Sequence, residues 1–358
     1  MGLAITDDHV ELAATVRRWA EARGLLSQAR ASLEPQAEAL PAWWGEVAEL
    51  GWLGLAVGAD HGGQGYGLAE LAVVLEELGR WCAPGPFLPT VIAAVAIDRW
   101  GGDPGLARDL VDGSQVGAIA LGADAFSLRE WSLGRPLQRP ERVSCRVRGV
   151  WGGGVADRFV LPVGGDDGPA GWCVVDRDQV EVKALASFDA TRGLSEVRLD
   201  DVKIPTDRWL TPAAGTDRDL AGGPDPVSLA ALLAGAEALG VADWCVRTAA
   251  DYAAVRVQFG RPIGQFQAVK HRCADMLVAL EAARAAVWDA ARCADTGEPG
   301  WAIAGGAAAA LAPEAAFRCA KDCIQVLGGI GYTWEHDAHL FLKRATALRH
   351  LLPAPEVA

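Results

Sequence analysis

The chain has 358 residues, 51% of them hydrophobic and 22% charged, a balance that fits a globular protein of two or three packed subdomains and excludes a disordered one. A net charge of −13 excludes a nucleic-acid scaffold, since phosphate binding leans on clustered Lys and Arg; an anionic small ligand needs only local basic groups and stays open. The run Met1 to Asp8 lacks the basic and apolar segments of a secretion signal, so a cytoplasmic protein is expected, with no membrane span.

Residues 9–22 carry apolar side chains at helical spacing, and Pro41-Ala42-Trp43-Trp44 opens a second helix running toward Leu50, where Gly51 breaks it. Residues 60–67 form a turn-rich loop, and a helix over 68–81 bears the acidic pair Glu76-Glu77. Pro84-Gly85-Pro86 ends that helix, because proline removes a backbone donor and fixes φ. From about Gly117 short β-type runs follow at 146–150, 159–163, 171–175 and 196–199, separated by Gly, Asp and Pro turns, which predicts a small antiparallel β domain. Residues 211–226, rich in Gly, Pro and Asp, read as a linker.

Beyond the linker, Ala- and Leu-rich stretches predict helices over 227–254, 262–294, 299–327 and 335–350, an up-and-down four-helix bundle. The most apolar window, 301–312, is too short to span a bilayer and reads as a buried helix. The expected class is α+β in three domains: 1–115 helical, 116–215 antiparallel β and 216–358 a helical bundle. Eight cysteines without a CxxC pair read as reduced core thiols. Neither Cys319 with Cys323 nor His336 with His339 has enough partners for zinc, so no metal site is assigned.

Two segments carry chemistry. Arg256 closes a helix and precedes Phe259-Gly260 and Arg261-Pro262, a tight bend that restarts a helix at Pro262. Such a joint brings Arg256, Gln258 and backbone groups to one place, where a guanidinium can grip a pyrophosphate bidentately and Phe259 can cover a ring or ribose. By spacing alone, Arg256 and Arg261 read equally as solvated charges beside a helix break. Gln325 is followed by Gly328, Gly329 and Gly331, which permit close backbone approach to a phosphate or sugar and equally make a helix C-cap. With no predicted strand before it, this is a poor Rossmann fingerprint.

The run Arg256-x-Gln258-Phe259-Gly260-Arg261-x-Ile263, continuing through Phe266-Gln267, Val269, His271 and Ala274-Asp275-Met276, resembles the signature of the acyl-CoA dehydrogenase family. Gln325-x-x-Gly328-Gly329-x-Gly331-Tyr332 resembles its usual companion, and Gly51-Trp52-Leu53-Gly54, His61-Gly62-Gly63-Gln64-Gly65, Glu76-Glu77-Leu78-Gly79 and Pro84-Gly85-Pro86 are similar to the family's N-terminal domain. The resemblance covers nearly the whole chain in the right order. It implies FAD as cofactor, an acyl-CoA thioester as substrate, a tetramer, and electron-transfer flavoprotein or a similar acceptor. A base takes the α proton while the flavin takes the β hydride, both close to one carbon pair. It also implies that each flavin is shared, one chain holding the isoalloxazine ring and its neighbour the ADP end. Carried to this chain, that sets Arg256, Gln258, Phe259 and Gln267 beside one end of a neighbour's FAD and Gln325, Gly328 and Gly329 at the other.

The chain departs from the family at the base. In register with Gly331-Tyr332, Leu352 stands where the usual glutamate belongs, Ala230 takes the alternative position, and Ala231 replaces its arginine. Neither side chain accepts a proton, so no catalytic residue is assigned. Residues 118–126 replace the family's Thr-Glu-Pro…Gly-Ser-Asp segment. Residues 150–157 replace its aromatic residue and polar turn, with Trp151 left either to stack on a ring or to bury area in the core. Glu237 lies two turns from Ala230, roughly 11 Å, too far to act on the same carbon. Glu335 and Asp337 read as acids at a helix N-terminus, and Asp189-Ala190-Thr191-Arg192 has no assigned role.

The half that serves a neighbour is kept and the half that would hold the chain's own flavin is lost. The chain thus resembles the non-catalytic subunit of the α2β2 acyl-CoA dehydrogenases of actinobacteria, which act on CoA thioesters of steroid side chains. The implied partner is a second dehydrogenase-like chain supplying the base and the ring pocket, with two flavins per heterotetramer. Two other readings stay open: a self-sufficient homo-oligomeric dehydrogenase with another base, and a non-enzymatic scaffold or acyl-CoA-binding protein.

Overall fold

The structure, a computed structural model, describes residues 5–34, 38–101, 103–120, 139–165, 168–210, 226–298 and 300–351. Helices come first: α1 (Asp7–Ala22), α2 (Leu25–Ala31), α3 (Trp44–Glu49), α4 (Leu68–Arg80), α5 (Phe87–Trp100) and α6 (Pro104–Val111). Thr6 caps α1 by accepting from the His9 N–H, while the His9 ring reaches back to the Thr6 backbone. Helix α5 has no counterpart among the predicted elements. It is buried without a break from Phe87 to Ile97, so it lacks the polar stripe that marks an amphipathic helix.

Seven strands form one sheet: β1 (Gly117–Ala120), β2 (Arg142–Trp151), β3 (Arg158–Gly165), β4 (Gly168–Asp176), β5 (Glu181–Leu185), β6 (Leu194–Lys203) and β7 (Trp209–Leu210), in the order β5-β6-β2-β1-β3-β4-β7. The expectation of a purely antiparallel sheet is corrected at one pair. Strands β1 and β3 run parallel, with Gly117 opposite Arg158 and Ile119 opposite Val160. The reason is topological: β2 and β3 run in opposite directions, and β1 inserts between them, so it must run parallel to one. Edge strand β5 was not predicted, and it is largely solvated. Phe159, Leu161, Val175, Val197, Leu199 and Trp209 are among the residues of a core on one face of the sheet.

The third part is a bundle of α7 (Pro226–Val255), α8 (Gln267–Thr296), α9 (Trp301–Leu327) and α10 (Ala338–Leu351). Helix α7 is long and apolar enough to cross a membrane, yet 94% of its apolar window is buried inside the fold, where it serves as the central core helix. It crosses α4 at two glycines: a Cβ on Gly79 would strike the Glu237 carbonyl, and one on Gly240 the Glu76 carbonyl. Around this crossing Arg17 pairs with Glu77, Arg80 with Asp243 and Arg284 with Glu76, which is where the Glu76-Glu77 pair is used.

Three sequence expectations change in the bundle. Helix α8 begins at Gln267 instead of Pro262, because residues 257–262 form a small hairpin and Ile263–Gln265 a 3₁₀ turn. Helix α10 begins at Ala338 instead of Glu335. Arg30 from the N-terminal part holds the preceding turn, donating to the Asp337 carboxylate at 2.9 Å and to the carbonyls of Trp334 and Glu335 at 2.7 and 3.0 Å. The window 301–312 buries only one face: Trp301, Ala304, Ala308 and Ala312 point inward while Ile303 is 82% exposed. Of the expected linker over 211–226, residues 211–225 lie outside the described residues and Pro226 opens α7.

Candidate cofactor-binding site

Helix α7 ends at Val255, and the Arg256 carbonyl accepts from the Ile263 N–H at 2.8 Å, folding the chain back on itself. Between them β8 (Val257–Gln258) and β9 (Arg261–Pro262) pair antiparallel. Phe259 and Gly260 both have positive φ, 52° and 76°, the geometry of a two-residue hairpin turn. That turn leaves the Phe259 ring 92% exposed, with an edge contact to Phe266 at 6.1 Å. The Arg261 guanidinium covers the Phe266 ring at 4.2 Å. Arg256, by contrast, is exposed and has no ion-pair partner among the described residues, and the exposed Gln258 amide donates only to the Val257 carbonyl.

Gln267 opens α8 with its side chain exposed, and an ion pair between Arg272 and Asp322 ties the start of α8 to the end of α9. Gln325 is exposed on the last turn of α9, and Gly328 ends that helix at φ 64° and ψ −136°, a region open essentially to glycine alone. A Cβ on Gly328 or Gly329 would meet nothing within 4 Å, so the backbone there faces open space. Gly331 differs: its Cβ would press on the Ile324 carbonyl and on Leu327, so it serves packing. All seven residues singled out from the sequence, Arg256, Gln258, Phe259, Gln267, Gln325, Gly328 and Gly329, therefore belong to segments at one end of the bundle.

The region around Trp151, at the end of β2, is built in the opposite way. Trp151 is 1% exposed, and the Arg192 guanidinium lies over its indole, 5.0 Å from the ring centroid. Arg192 donates to both oxygens of Glu237 at 2.8 and 3.0 Å. Arg344 of α10, fully buried, donates to Asp189, Glu237, the Thr191 hydroxyl and the Ala83 carbonyl. Burial pushes the Asp189 carboxyl up, but Arg344 and Arg192 more than offset it and hold it below the usual carboxylate range. From the segment before α3, Glu38 accepts from the Gly154 N–H at 3.0 Å, and its burial pushes its own carboxyl above that range. About 10 Å³ of free space remains among Trp151, Ser187, Asp189 and Arg192.

This cluster gives Asp189, Thr191 and Arg192 the role that the sequence did not reveal. It also settles the status of Glu237, which is locked between two arginines, while Ala230 on the same helix is fully buried. Leu352 and residues 121–126 lie outside the described residues. Among the described residues no three His, Cys, Asp or Glu side chains converge as metal ligands. The eight cysteines are free, and burial pushes the Cys82 and Cys319 thiols up to about 12, leaving them unreactive. A groove of about 330 Å³ beside His9 and Trp288 contains Asp295 and Glu70, but both carboxylates accept backbone N–H groups at the start of α4.

Comparison with known proteins matches residues 6–104 to the acyl-CoA dehydrogenase N-terminal domain and residues 227–352 to the acyl-CoA dehydrogenase C-terminal domain. Acyl-CoA dehydrogenase FadE34 of Mycobacterium tuberculosis is 36% identical over 96% of this chain, which spans 46% of FadE34, about half its length. Acyl-CoA dehydrogenase IpdE2 of the same organism is 32% identical, with 86% of this chain and 80% of IpdE2 covered. Among solved structures, the ChsE4-ChsE5 complex from Mycobacterium tuberculosis matches with a TM-score of 0.82 at 26% identity, over 98% of this chain and 95% of that one.

Proposed function

The chain belongs to the acyl-CoA dehydrogenase family, and from that premise we propose that it is the FAD-sharing, base-lacking subunit of a heteromeric acyl-CoA dehydrogenase. FAD is the family's cofactor, and when bound it supplies a hydride acceptor for α,β-dehydrogenation of an acyl-CoA thioester. The observation that carries the reading is the contrast between two regions of the molecule. The hairpin end of the bundle has an uncommitted arginine, two free amides and open glycine backbone; the region around Trp151 has its charges paired and its space filled.

The residues at the open end fit the ADP half of FAD. Arg256 offers a planar fork for a pyrophosphate, Gly328 and Gly329 let backbone approach it without a side chain in the way, and Phe259 presents a bare ring face. Gln258, Gln267 and Gln325 supply amides at the same end. Because these groups point away from the chain's own core, they are suited to a cofactor whose ring lies in a partner. Val257 in the hairpin, and Leu277 and Val278 farther along α8, are exposed and suit burial against that partner.

The partner in this reading is a second acyl-CoA dehydrogenase-like chain in an α2β2 heterotetramer, contributing the proton acceptor that Ala230 and Leu352 do not provide. That the similar ChsE4-ChsE5 structure is a complex of two proteins supports this. The substrate is an acyl-CoA, with a steroid side-chain thioester favoured by the sequence resemblance. Electron-transfer flavoprotein or a similar protein is the acceptor, and the cytoplasm the location.

The test is flavin content of the chain alone and co-purified with its dehydrogenase-like partner. About one FAD per two chains, present only in the complex, is expected, and Arg256→Ala should weaken FAD retention roughly tenfold or more, the loss of one charge-assisted contact. One FAD per chain on the isolated protein would mean a self-sufficient enzyme, and a stable complex without flavin would mean a scaffold. Either result removes the proposal.

A further inference from the structure

We infer that the exposed face of α8 and α9, running from the hairpin end of the bundle, is an electropositive dock for an acidic surface of the second dehydrogenase-like chain, and that its charge keeps this chain from pairing there with a copy of itself. This rests on the heteromeric reading above and deepens it, because it gives the partner's charge and a physical reason for the partner to be a different chain.

The chain carries a net charge of −13, and most of its described arginines lie beside a carboxylate, as Arg17, Arg80 and Arg284 do. Arg256, Arg261, Lys270, Arg318 and Lys321 differ: each is exposed and forms no ion pair among the described residues. Arg256 and Arg261 flank the hairpin turn, Lys270 stands on the first turn of α8, and Arg318 and Lys321 stand on the last three turns of α9. Arg261 and Lys321 lie over the rings of Phe266 and Phe317 instead, at 4.2 and 5.6 Å. The unpaired acids nearest to them are Asp251 and Asp275, and Lys343 and Glu335 at the start of α10 add one charge of each sign, so the cations are in excess on an otherwise acidic chain.

Helical spacing sets these side chains in rows. On α9, Arg318, Lys321 and Gln325 share one exposed face; on α8, Gln267, Lys270, Ala274 and Val278 share another. The Arg272–Asp322 ion pair and the Cys319 thiol, which donates to the Met276 carbonyl at 3.4 Å, hold the two helices side by side, so the rows run next to each other. Leu277 and Val278, 48% and 68% exposed, add apolar surface beside the cations, and an apolar centre with a charged rim is the make-up of a protein interface. A pyrophosphate gripped by Arg256 leaves the rest of the row unanswered, because Arg318 lies about 10 Å along α9 from Gln325. Two copies of this chain meeting through this face about a two-fold axis would set the cations against each other, whereas a partner with carboxylates facing the rows is drawn in, which speeds association and selects the heteromer.

The test is the rate at which the chain and its separated dehydrogenase-like partner reassociate on a sensor surface. For wild type, the association rate constant should fall about tenfold or more between roughly 50 and about 300 mM sodium chloride, as screening shortens the reach of the charges. Lys270→Glu combined with Lys321→Glu should lower it about tenfold at low salt and change the dissociation rate less. Both lysines are exposed and unpaired, so the fold should be kept, which circular dichroism checks, and the milder pair Lys270→Gln with Lys321→Gln should give a smaller loss in the same direction. The wild-type chain alone should sediment as a monomer. An association rate indifferent to salt and to both lysines overturns the inference, and so does a wild-type homodimer that Val278→Glu abolishes. Saturable binding of inorganic pyrophosphate that the Glu double variant loses also overturns it, since the rows would then hold a small anion. The flavin count keeps the two claims apart: a complex that retains FAD but ignores salt leaves the shared-FAD reading standing, a salt-sensitive complex without flavin removes that reading alone, and failure to bind any dehydrogenase-like chain removes both.

Discussion

The hairpin end of the bundle and the Trp151 joint use the same kinds of group in opposite ways. At the hairpin, Arg256 has no carboxylate beside it among the described residues, and Gly328 and Gly329 face open space. At the joint, Arg192 and Arg344 share Glu237, Asp189 is bound to Arg344, and about 10 Å³ of space is left. The difference teaches how to tell an outward site from an inward one. On the proposed function, groups meant for a ligand from elsewhere are exposed and uncommitted on a shaped backbone, while groups that serve the fold are paired because their burial demands it.

The strongest way to break this contrast is to remove Arg344. Arg344→Met should strand Asp189 and Glu237 without their shared cation and cost about 3–5 kcal/mol in urea unfolding. A loss below about 1 kcal/mol would put the joint on the footing of an exposed ion pair and erase the distinction.

A smaller effect separates strain from packing at the open end. Gly328→Ala should cost about 1–3 kcal/mol from backbone conformation alone, since no neighbour obstructs the methyl group. Gly329→Ala, at a position without positive φ and equally open, should stay within about 0.5 kcal/mol of wild type. Equal losses at the two positions would show that the cradle is not held in a glycine-only conformation.

The smallest effect is in pH dependence, where Glu38 and Asp189 carry opposite signs. Glu38 is raised by burial, so its contribution is fully present below the ordinary carboxylate range and is lost as pH rises through its folded pKa. Asp189 is lowered by Arg344 and Arg192 against the effect of burial, so its contribution is present above that range and lost only as pH falls through its depressed pKa. Melting temperatures between about pH 4.5 and 7 should therefore show Glu38→Gln gaining on wild type toward neutrality and Asp189→Asn remaining below it throughout. A parallel response of the two variants would contradict the assigned environments.

Much of the fold was legible because periodicity is local. The amphipathic pattern of residues 9–22 and the Ala- and Leu-rich runs of the bundle anticipate α1, α7, the end of α8 and α9 to within about two residues. Helix α5 escaped because an apolar surface on every side carries no period. The start of α8 was misplaced because Pro262, a good first residue for a helix, is equally good in the short strand it occupies. The hairpin and the glycine turn could be located for a related reason: Arg256 to Gln267 and Gln325 to Gly329 are contiguous runs in the chain.

The sequence by itself determined the order of the elements, the two glycine turns and the absence of an acid at position 230, all properties of neighbours in the chain. Only the tertiary structure decided that Glu38, Trp151, Asp189, Arg192, Glu237 and Arg344 meet, because they come from five separated segments and their pairing follows from how the β domain docks on α7 and α10. Burial then leaves those charges no solvent to turn to except one another, a constraint that exists only after the chain has folded.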